Sequence, residues 1–425
     1  MSAPAAVPPW RAPTATGPLD ARVAVPGSKS ATARALVLAA LADGPGEVAN
    51  PLAARDTQLM AAALRQFGAV VDDRDPARWR VIPPARLQAG GTVDCGLAGT
   101  VLRFTPPLAA LADGATRFTG DPAARARPVA PLLAALRQLG AAVAGDALPF
   151  SVAGPAAAAP SAVEFDASGS SQFVSGLLLA GARFPGGLTL RHVGPPLPSR
   201  PHIDMTVAAL AARGVAVESL GPDGWRVAPG PVRACSAAVE PDLTTAAVFL
   251  AAALVARGRV TVAAWPAQSH QPGRAAPDVL VRFGGSCRLG PDGLAMAGDG
   301  RLRGADVDLR AHSELTPVVA ALATLAEGRT VIRGVGHIRG HETDRLAALT
   351  REITALGGHC AETSDGLVIE PTRLSGGLWR TYGDHRMAHA GALIGLRVPG
   401  VELDDVAVVA KTMPGFADAW WGLLA

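Results

Sequence analysis

Leu64-Arg-Gln-Phe-Gly68 returns as Leu136-Arg-Gln-Leu-Gly140, and further copies follow at Leu210-Ala-Ala-Arg-Gly214, Leu280-Val-Arg-Phe-Gly284 and Ile353-Thr-Ala-Leu-Gly357. Each reads as the last turn of a helix closed by glycine at C′, leading into a β-branched or Cys-containing strand. The glycines lie 72, 74, 70 and 73 residues apart, so a single folding module repeats along the chain. A second series runs in step with it: Ala-rich helices ending at Gly44, Gly114, Gly187, Gly258, Gly328 and Gly400, each feeding a strand such as Gly187-Leu-Thr-Leu-Arg-His192. Six units fill the chain, and in the last the second helix is the terminal Phe416 to Leu424. Two helices and several short strands per unit predict an α/β protein in which strands outnumber helices. Cys287 and Cys360 share a strand position with Val71, Val143 and Val217, which predicts core thiols.

The 425 residues leave room for two or three domains with large cores. With 49% apolar and 18% charged residues the chain reads as globular, and its longest apolar run, Ala246 to Ala256, is too short for a bilayer span. The first 20 residues have no apolar core behind a basic start and read as a frayed tail rather than a signal peptide, so a soluble, cytoplasmic protein is expected. The four cysteines show no CxxC spacing, which excludes a disulfide framework. A formal charge of +3 and few aromatics argue against a nucleic-acid binder. Of 39 basic residues only Lys29 and Lys411 are lysines, which marks both as candidates for a compact ammonium that guanidinium replaces badly.

The helix entrances carry the chemistry. Ahead of the first series lie Arg55, Arg127, Arg200, Arg274 and Arg345. Ahead of the second lie Pro26-Gly-Ser-Lys-Ser30, Gly96-Leu-Ala-Gly-Thr100, Ser168-Gly-Ser-Ser-Gln172, Glu240-Pro-Asp-Leu-Thr244, His312-Ser-Glu-Leu-Thr316 and Tyr382-Gly-Asp-His-Arg386. Small polar residues at such places are ordinary caps. A set that repeatedly joins glycine, hydroxyls and guanidinium at positively polarised helix ends points to an anionic ligand.

Pro26-Gly-Ser-Lys-Ser30 lacks the G-x-x-x-x-G-K-[ST] spacing of a nucleotide hydrolase. Ser30 and Arg34 stand one helical turn apart, so Lys29, Ser30 and Arg34 suit a single hydroxylated anion. Gly99 brings backbone close to a ligand, Arg127 precedes Pro128 at a helix start, and Ser170, Ser171 and Gln172 offer two hydroxyls and an amide. The run His337-Ile-Arg-Gly-His341-Glu342-Thr-Asp344-Arg345 sets carboxylates and guanidinium beside a helix entrance. Its histidines lack the Glu spacing of an H-E-x-x-H metal helix, and no metal site is expected. No G-x-S-x-G elbow accompanies any serine, which disfavours a serine hydrolase.

In these residues the chain resembles the EPSP synthase family of enolpyruvyl transferases: Pro26-Gly-Ser-Lys-Ser30, Ala98-Gly-Thr100, Arg127-Pro128, Ser170-Ser-Gln-Phe173, Arg200-Pro-His-Ile-Asp204, Glu342-Thr-Asp-Arg345, Asp384-His-Arg-Met387 and Ala410-Lys-Thr412 follow in order along nearly the whole chain. The resemblance implies a two-lobed inside-out α/β barrel of six repeats, three per lobe, joined by a double crossover. Residues 21–239 would form one lobe, and residues 1–20 with 240–425 the other. It further implies transfer of the enolpyruvyl group of phosphoenolpyruvate to the 5-hydroxyl of shikimate 3-phosphate, with release of phosphate and with no metal or organic cofactor, by a cytoplasmic monomer that engages neither nucleic acid nor membrane. Shikimate 3-phosphate would be held by Lys29, Ser30, Arg34, Ser170, Ser171, Gln172, Ser199, Glu314 and His341. Phosphoenolpyruvate would lie against Lys29, Gly99, Arg127, Gln172, Arg345, Arg386 and Lys411.

The implied chemistry is addition followed by elimination. Glu314 is expected as base toward the hydroxyl, Glu342 with Lys29 as proton donor and acceptor at C3, and His385 as a second acid. Arginine-rich surroundings oppose a raised carboxyl pKa at these glutamates. The chain departs from the commonest pattern at Leu97, His202, Glu314, His337 and His341, where Asn, Tyr, Asp, Asn and Lys are frequent. Two rivals are a UDP-N-acetylglucosamine enolpyruvyl transferase, whose reactive cysteine has no counterpart in Gly120-Asp-Pro-Ala-Ala-Arg-Ala-Arg127, and a non-catalytic anion-binding protein.

Overall fold

The computed structural model describes residues 8–89, 91–156 and 162–425. Part of the expected N-terminal tail, residues 1–7, lies outside the described residues. The chain divides into two compact units: Gly27–Glu240 is continuous, and the segment ending at Pro26 joins Pro241–Ala425 in the other.

The continuous unit holds three four-stranded sheets built to one plan. In its middle repeat, strand Thr92–Asp94 pairs in parallel with Gly114–Thr119, and Phe150–Gly154 pairs antiparallel with both Gly114–Thr119 and Ala142–Ala144. A parallel pair needs a crossover, which the Gly99–Phe104 and Pro106–Ala109 helices supply, and the Ala130–Gln138 helix makes the second connection. The third repeat has the same order in Ala162–Phe165, Leu188–His192, Gly224–Val227 and Val217–Ser219. In the first repeat the parallel edge comes from the far end of the unit, where Ala237–Ala238 pairs with Gly46–Ala49.

The discontinuous unit shows the plan with its chain ends stitched in. Leu19–Val23 lies parallel to Gly258–Val262 in the register Leu19↔Gly258, and Trp10–Arg11 lies antiparallel to Val401–Leu403 in the register Trp10↔Leu403. Residues 21–26, expected in the continuous lobe, therefore belong to this unit, because their strand finds its hydrogen-bond partner there.

Within each unit the two helix series have different environments. All of Leu243–Val255 is buried, as an all-round apolar helix must be, whereas Arg55–Gln66 buries Met60, Ala61 and Leu64 and exposes Arg55 and Arg65. The sheets face water on one side: Arg78–Ile82 alternates exposed and buried residues, with Trp79 and Val81 inward. Helices inside and sheets outside make the inside-out α/β barrel that the resemblance implies.

The closing glycines behave as their positions predict. Gly68, Gly140, Gly214, Gly284 and Gly357 have φ of 91°, 88°, 75°, 103° and 86°, the left-handed region that a Cβ disfavours. The second series differs from its expectation: its helices close at Leu41, Ala110, Ala182, Ala256, Leu325 and Leu396, so Gly44, Gly114, Gly187, Gly258, Gly328 and Gly400 lie beyond the caps, at the approach to or the start of the next strand. Cys360 is buried as expected, but Cys287 is exposed, because the edge strand Ser286–Gly290 faces solvent along its whole length. Among the described residues no helix is long and apolar enough to cross a membrane.

Candidate active site

In the continuous unit the helices Lys29–Ala40, Gly99–Phe104 and Ser171–Gly181 pack on one another and carry most of the expected ligand residues on their first turns. Ser28 and Ser170 cap two of them with neutral hydroxyls, accepting from Ala31 N and Gln172 N at 3.4 and 3.3 Å. No capping carboxylate competes at either end for an incoming anion. Lys29 Nζ lies 3.2 Å from Asp56 Oδ2 in a largely buried pair.

Arg34 is buried and has no carboxylate partner among the described residues. Its Nε donates to Thr206 Oγ1 at 2.8 Å, Nη1 to Ser30 O at 2.9 Å, and Nη2 to His202 O at 2.8 Å and Ser175 Oγ at 3.3 Å. Burial without a counter-charge lowers its pKa to about 9. Such a cation favours an anionic neighbour, and one Nη1–H is left to reach it.

Gly99 makes room for two guanidiniums, since a Cβ there would stand 2.9 Å from both Arg103 Nη1 and Arg127 Nη2. Arg127 Nη1 donates to Leu97 O at 2.9 Å, while its buried Nε has no hydrogen-bond partner among the described residues. Arg103 holds Gln172 through an Nη1 bond to Oε1 at 2.9 Å, donates to Pro128 O at 3.2 Å and lies over the Phe173 ring. Sequence reasoning missed Arg103 and Asp56. The position of Arg103 one turn after Gly99, and of Asp56 beside Arg55 at a helix entrance, was the available signal. Ser171 and Ser199 are buried, and Ser199 holds a left-handed φ of 49° unusual for a residue with a Cβ.

In the discontinuous unit the charged groups gather on Arg345, whose guanidinium is 1% exposed. Nε donates to Asp384 Oδ2 at 2.7 Å, Nη2 to Asp384 Oδ1 and Glu342 Oε2 at 3.2 and 3.1 Å, and Nη1 to Glu314 Oε2 and His341 Nδ1 at 2.9 and 3.0 Å. All five donors are thereby engaged within the unit, so Arg345 reaches a ligand only by exchanging one of these bonds. Asp384 also caps the His385–Gly395 helix and accepts from Arg386 N at 2.8 Å. Its part in the site is a further feature that local sequence did not reveal.

Burial opposes ionisation of Glu314, but the guanidiniums of Arg345 and Arg386 outweigh it and hold the carboxyl well below its usual range. It is a carboxylate at neutral pH and a weak base in this setting. Burial pushes His341 down to about 3, and since Nδ1 accepts from Arg345 its proton resides on Nε2. His337, also lowered by burial, places Nε2 at 2.9 Å from Ser313 Oγ. Both imidazoles are neutral, so this corner offers hydrogen bonds rather than positive charge.

Glu342 bridges Arg345 and Lys411, whose Nζ donates to Oε1 at 2.9 Å. His385, 3% exposed, sets Nδ1 3.6 Å from Asp384 Oδ1. Arg386 contrasts with Arg345. Its buried Nε and Nη1 have no hydrogen-bond partner among the described residues, although Nε lies 3.4 Å from Glu314 Oε2. Buried donors without acceptors are costly, and an arriving phosphate or carboxylate oxygen would satisfy them.

The EPSP synthase (3-phosphoshikimate 1-carboxyvinyltransferase) family model matches residues 13–420. Among solved structures the chain resembles EPSP synthase from Acinetobacter baumannii, with a TM-score of 0.76 and 22% identity over 97% of this chain and 96% of that one. It also resembles the enolpyruvyl transferase NikO from Streptomyces tendae, with a TM-score of 0.74 and 21% identity over 96% of each chain. At these identities the structural likeness speaks for the fold, while the match over nearly the entire length speaks for the family. The chain belongs to the EPSP synthase family.

Proposed function

We propose that this chain carries out the family reaction, transfer of the enolpyruvyl group of phosphoenolpyruvate to shikimate 3-phosphate, with the following residues. In the continuous unit Lys29, Ser30, Arg34, Ser170, Ser171, Gln172 and Ser199 bind shikimate 3-phosphate, and Lys29, Gly99, Arg127 and Gln172 also contact phosphoenolpyruvate. In the discontinuous unit Glu314 and His341 bind the acceptor sugar, and Arg345, Arg386 and Lys411 bind phosphoenolpyruvate. The observation that carries the assignment is the buried Arg386 guanidinium, whose Nε and Nη1 lack a hydrogen-bond acceptor among the described residues while its charge faces Glu314.

The acceptor 5-hydroxyl attacks C2 as C3 takes a proton, and phosphate then leaves as C3 gives a proton back. Glu314 receives the hydroxyl proton. With Arg345 and Arg386 beside it, its depressed pKa makes it a weak base, so an exchange that draws Arg345 toward the ligand would strengthen it. Glu342, between Lys411 and Arg345, and Lys29 serve proton transfer at C3, with His385 as an alternative acid. Arginine and lysine side chains neutralise phosphate and carboxylate charge in a setting where water is sparse.

A UDP-N-acetylglucosamine acceptor fits less well. No thiol lies between Gly120 and Arg127, and the neighbouring Cys95 is pushed by burial up to about 12, too high for a reactive thiolate. The deciding experiment follows phosphate release from phosphoenolpyruvate with each acceptor; no release with shikimate 3-phosphate overturns the reading. Cytoplasmic residence as a monomer belongs to the same proposal, and sedimentation of the purified chain with fractionation of its host checks it.

A further inference from the structure

The segments bearing Ser170, Ser171 and Gln172 on one side and Ser199 on the other leave the ends of two adjacent parallel strands, Ala162–Phe165 and Leu188–His192, whose register ends on Phe165↔His192. Beyond that pair the backbone contributes one more bond, Val193 N to Phe165 O at 3.1 Å. The His192 side chain, 6% exposed, spans the gap between the two loops. Its Nδ1 accepts from Ala167 N at 3.0 Å, and its Nε2 lies 2.7 Å from Pro195 O. An amide N–H only donates and a carbonyl only accepts, so the ring must be neutral with its proton on Nε2.

The loop Val193-Gly-Pro-Pro-Leu-Pro-Ser199 is poorly equipped to hold itself, because its three prolines have no N–H. It also contains two demanding positions. Gly194 has φ of 124°, and a Cβ there would stand 3.0 Å from Asp166 Cγ, while Ser199 ends the loop in the left-handed region. Backbone conformations of this kind persist only where the surroundings over-determine them. On the other loop, Asp166 Oδ1 accepts from Ser168 N at 2.7 Å, which shapes the turn into the Ser170 cap.

We propose that His192 is a positioning residue for acceptor binding: its neutral imidazole straps the Ala167 loop to the Pro195 loop and so fixes the spacing of Ser170 and Ser171 from Ser199. The proposal rests on the assignment of those serines to shikimate 3-phosphate. A merely structural histidine would, when replaced, change stability and leave the acceptor's affinity alone; a strap changes that affinity selectively.

The test compares wild type, His192→Phe, which keeps a ring and removes both bonds, and His192→Gln, whose amide supplies one donor and one acceptor. Calorimetric titration with shikimate 3-phosphate and steady-state kinetics are the readouts. The phenylalanine variant should weaken acceptor binding and raise its KM by at least about tenfold, with kcat and the KM for phosphoenolpyruvate changed by less than about threefold, and glutamine should recover part of the loss. A folded phenylalanine variant that binds the acceptor as wild type does, or that loses kcat with the acceptor KM unchanged, overturns the strap. If that variant does not fold, the glutamine variant and two wild-type measurements decide. Nitrogen-15 spectra must show the Nε2–H tautomer, and hydrogen exchange must show the Ala167 amide protected; the other tautomer or rapid exchange overturns the proposal. If the wild type does not use shikimate 3-phosphate at all, the functional reading fails, and these two measurements still judge the strap.

Discussion

Arg345 and Asp384 form a bidentate pair in the interior of the discontinuous unit, Nε to Oδ2 at 2.7 Å and Nη2 to Oδ1 at 3.2 Å, with side-chain exposures of 1% and 0%. One carboxylate thus serves two purposes, countering a buried cation and capping the helix that carries His385 and Arg386. Asp384→Asn keeps a capping oxygen and removes the charge. Because Glu314 and Glu342 still face Arg345, the cost should be about 2 kcal/mol, below the range for a wholly orphaned buried ion. Asp384→Ala should cost about 1 kcal/mol more through the lost cap. Urea unfolding of both variants checks the difference, and equal midpoints would refute the dual role.

Lys29 is one of two lysines in the chain, and its ammonium lies 3.2 Å from Asp56. Lys29→Arg should lower kcat/KM by about a hundredfold or more while the melting temperature stays within a few degrees, because a planar fork cannot occupy the place of a compact ammonium. Turnover close to wild type in that variant would contradict the assignment.

Two buried donors of Arg386 have no hydrogen-bond acceptor among the described residues. Arg386→Gln should raise the KM for phosphoenolpyruvate by at least about tenfold while changing stability little, since the removal of buried donors without acceptors offsets the loss of the ion pair to Glu314. Parallel titration with phosphoenolpyruvate and thermal unfolding tests this. A variant that is destabilised yet retains phosphoenolpyruvate affinity would show that the guanidinium is structural.

His341 should make the fold acid-sensitive. Its ring is neutral in folded and unfolded chains above about pH 6.5, and below that the unfolded chain takes a proton that the folded site, with a pKa of about 3, refuses. Stability therefore falls as pH drops from about 6.5 toward 3, with a slope from this group of at most about 1.4 kcal/mol per pH unit. His337, His389 and Glu314, all lowered, act in the same direction. His341→Gln should flatten the urea midpoint between pH 6.5 and 5; a variant as steep as wild type would remove His341 from the account.

Much of the site was legible because helix entrances are local. Ser28 and Ser170 act as caps where small polar residues precede apolar runs, and Lys29, Gly99, Ser171 and Arg345 all lie on first turns. The partners of those residues were not legible. Asp56 lies in another helix from Lys29, Arg103 meets Gln172 across 69 residues of sequence, and Asp384 reaches Arg345 across 39. No local pattern encodes such contacts, since they depend on how helices pack after they form. Cys287 shows the same limit: sharing a repeat position with the buried Val71 and Cys360 does not bury it, because burial depends on what covers that strand.

By itself the sequence determined the repeat, its count and the polarity of its helix ends. Closing glycines and capping hydroxyls act over a few residues through backbone sterics and short hydrogen bonds. Only the tertiary structure decided that Trp10 pairs with Leu403 and Leu19 with Gly258, that Arg345 engages all its donors internally, and that two donors of Arg386 find no hydrogen-bond acceptor among the described residues. These outcomes turn on which donor meets which acceptor once water has been excluded, a competition among distant groups that arises only when the chain has closed on itself.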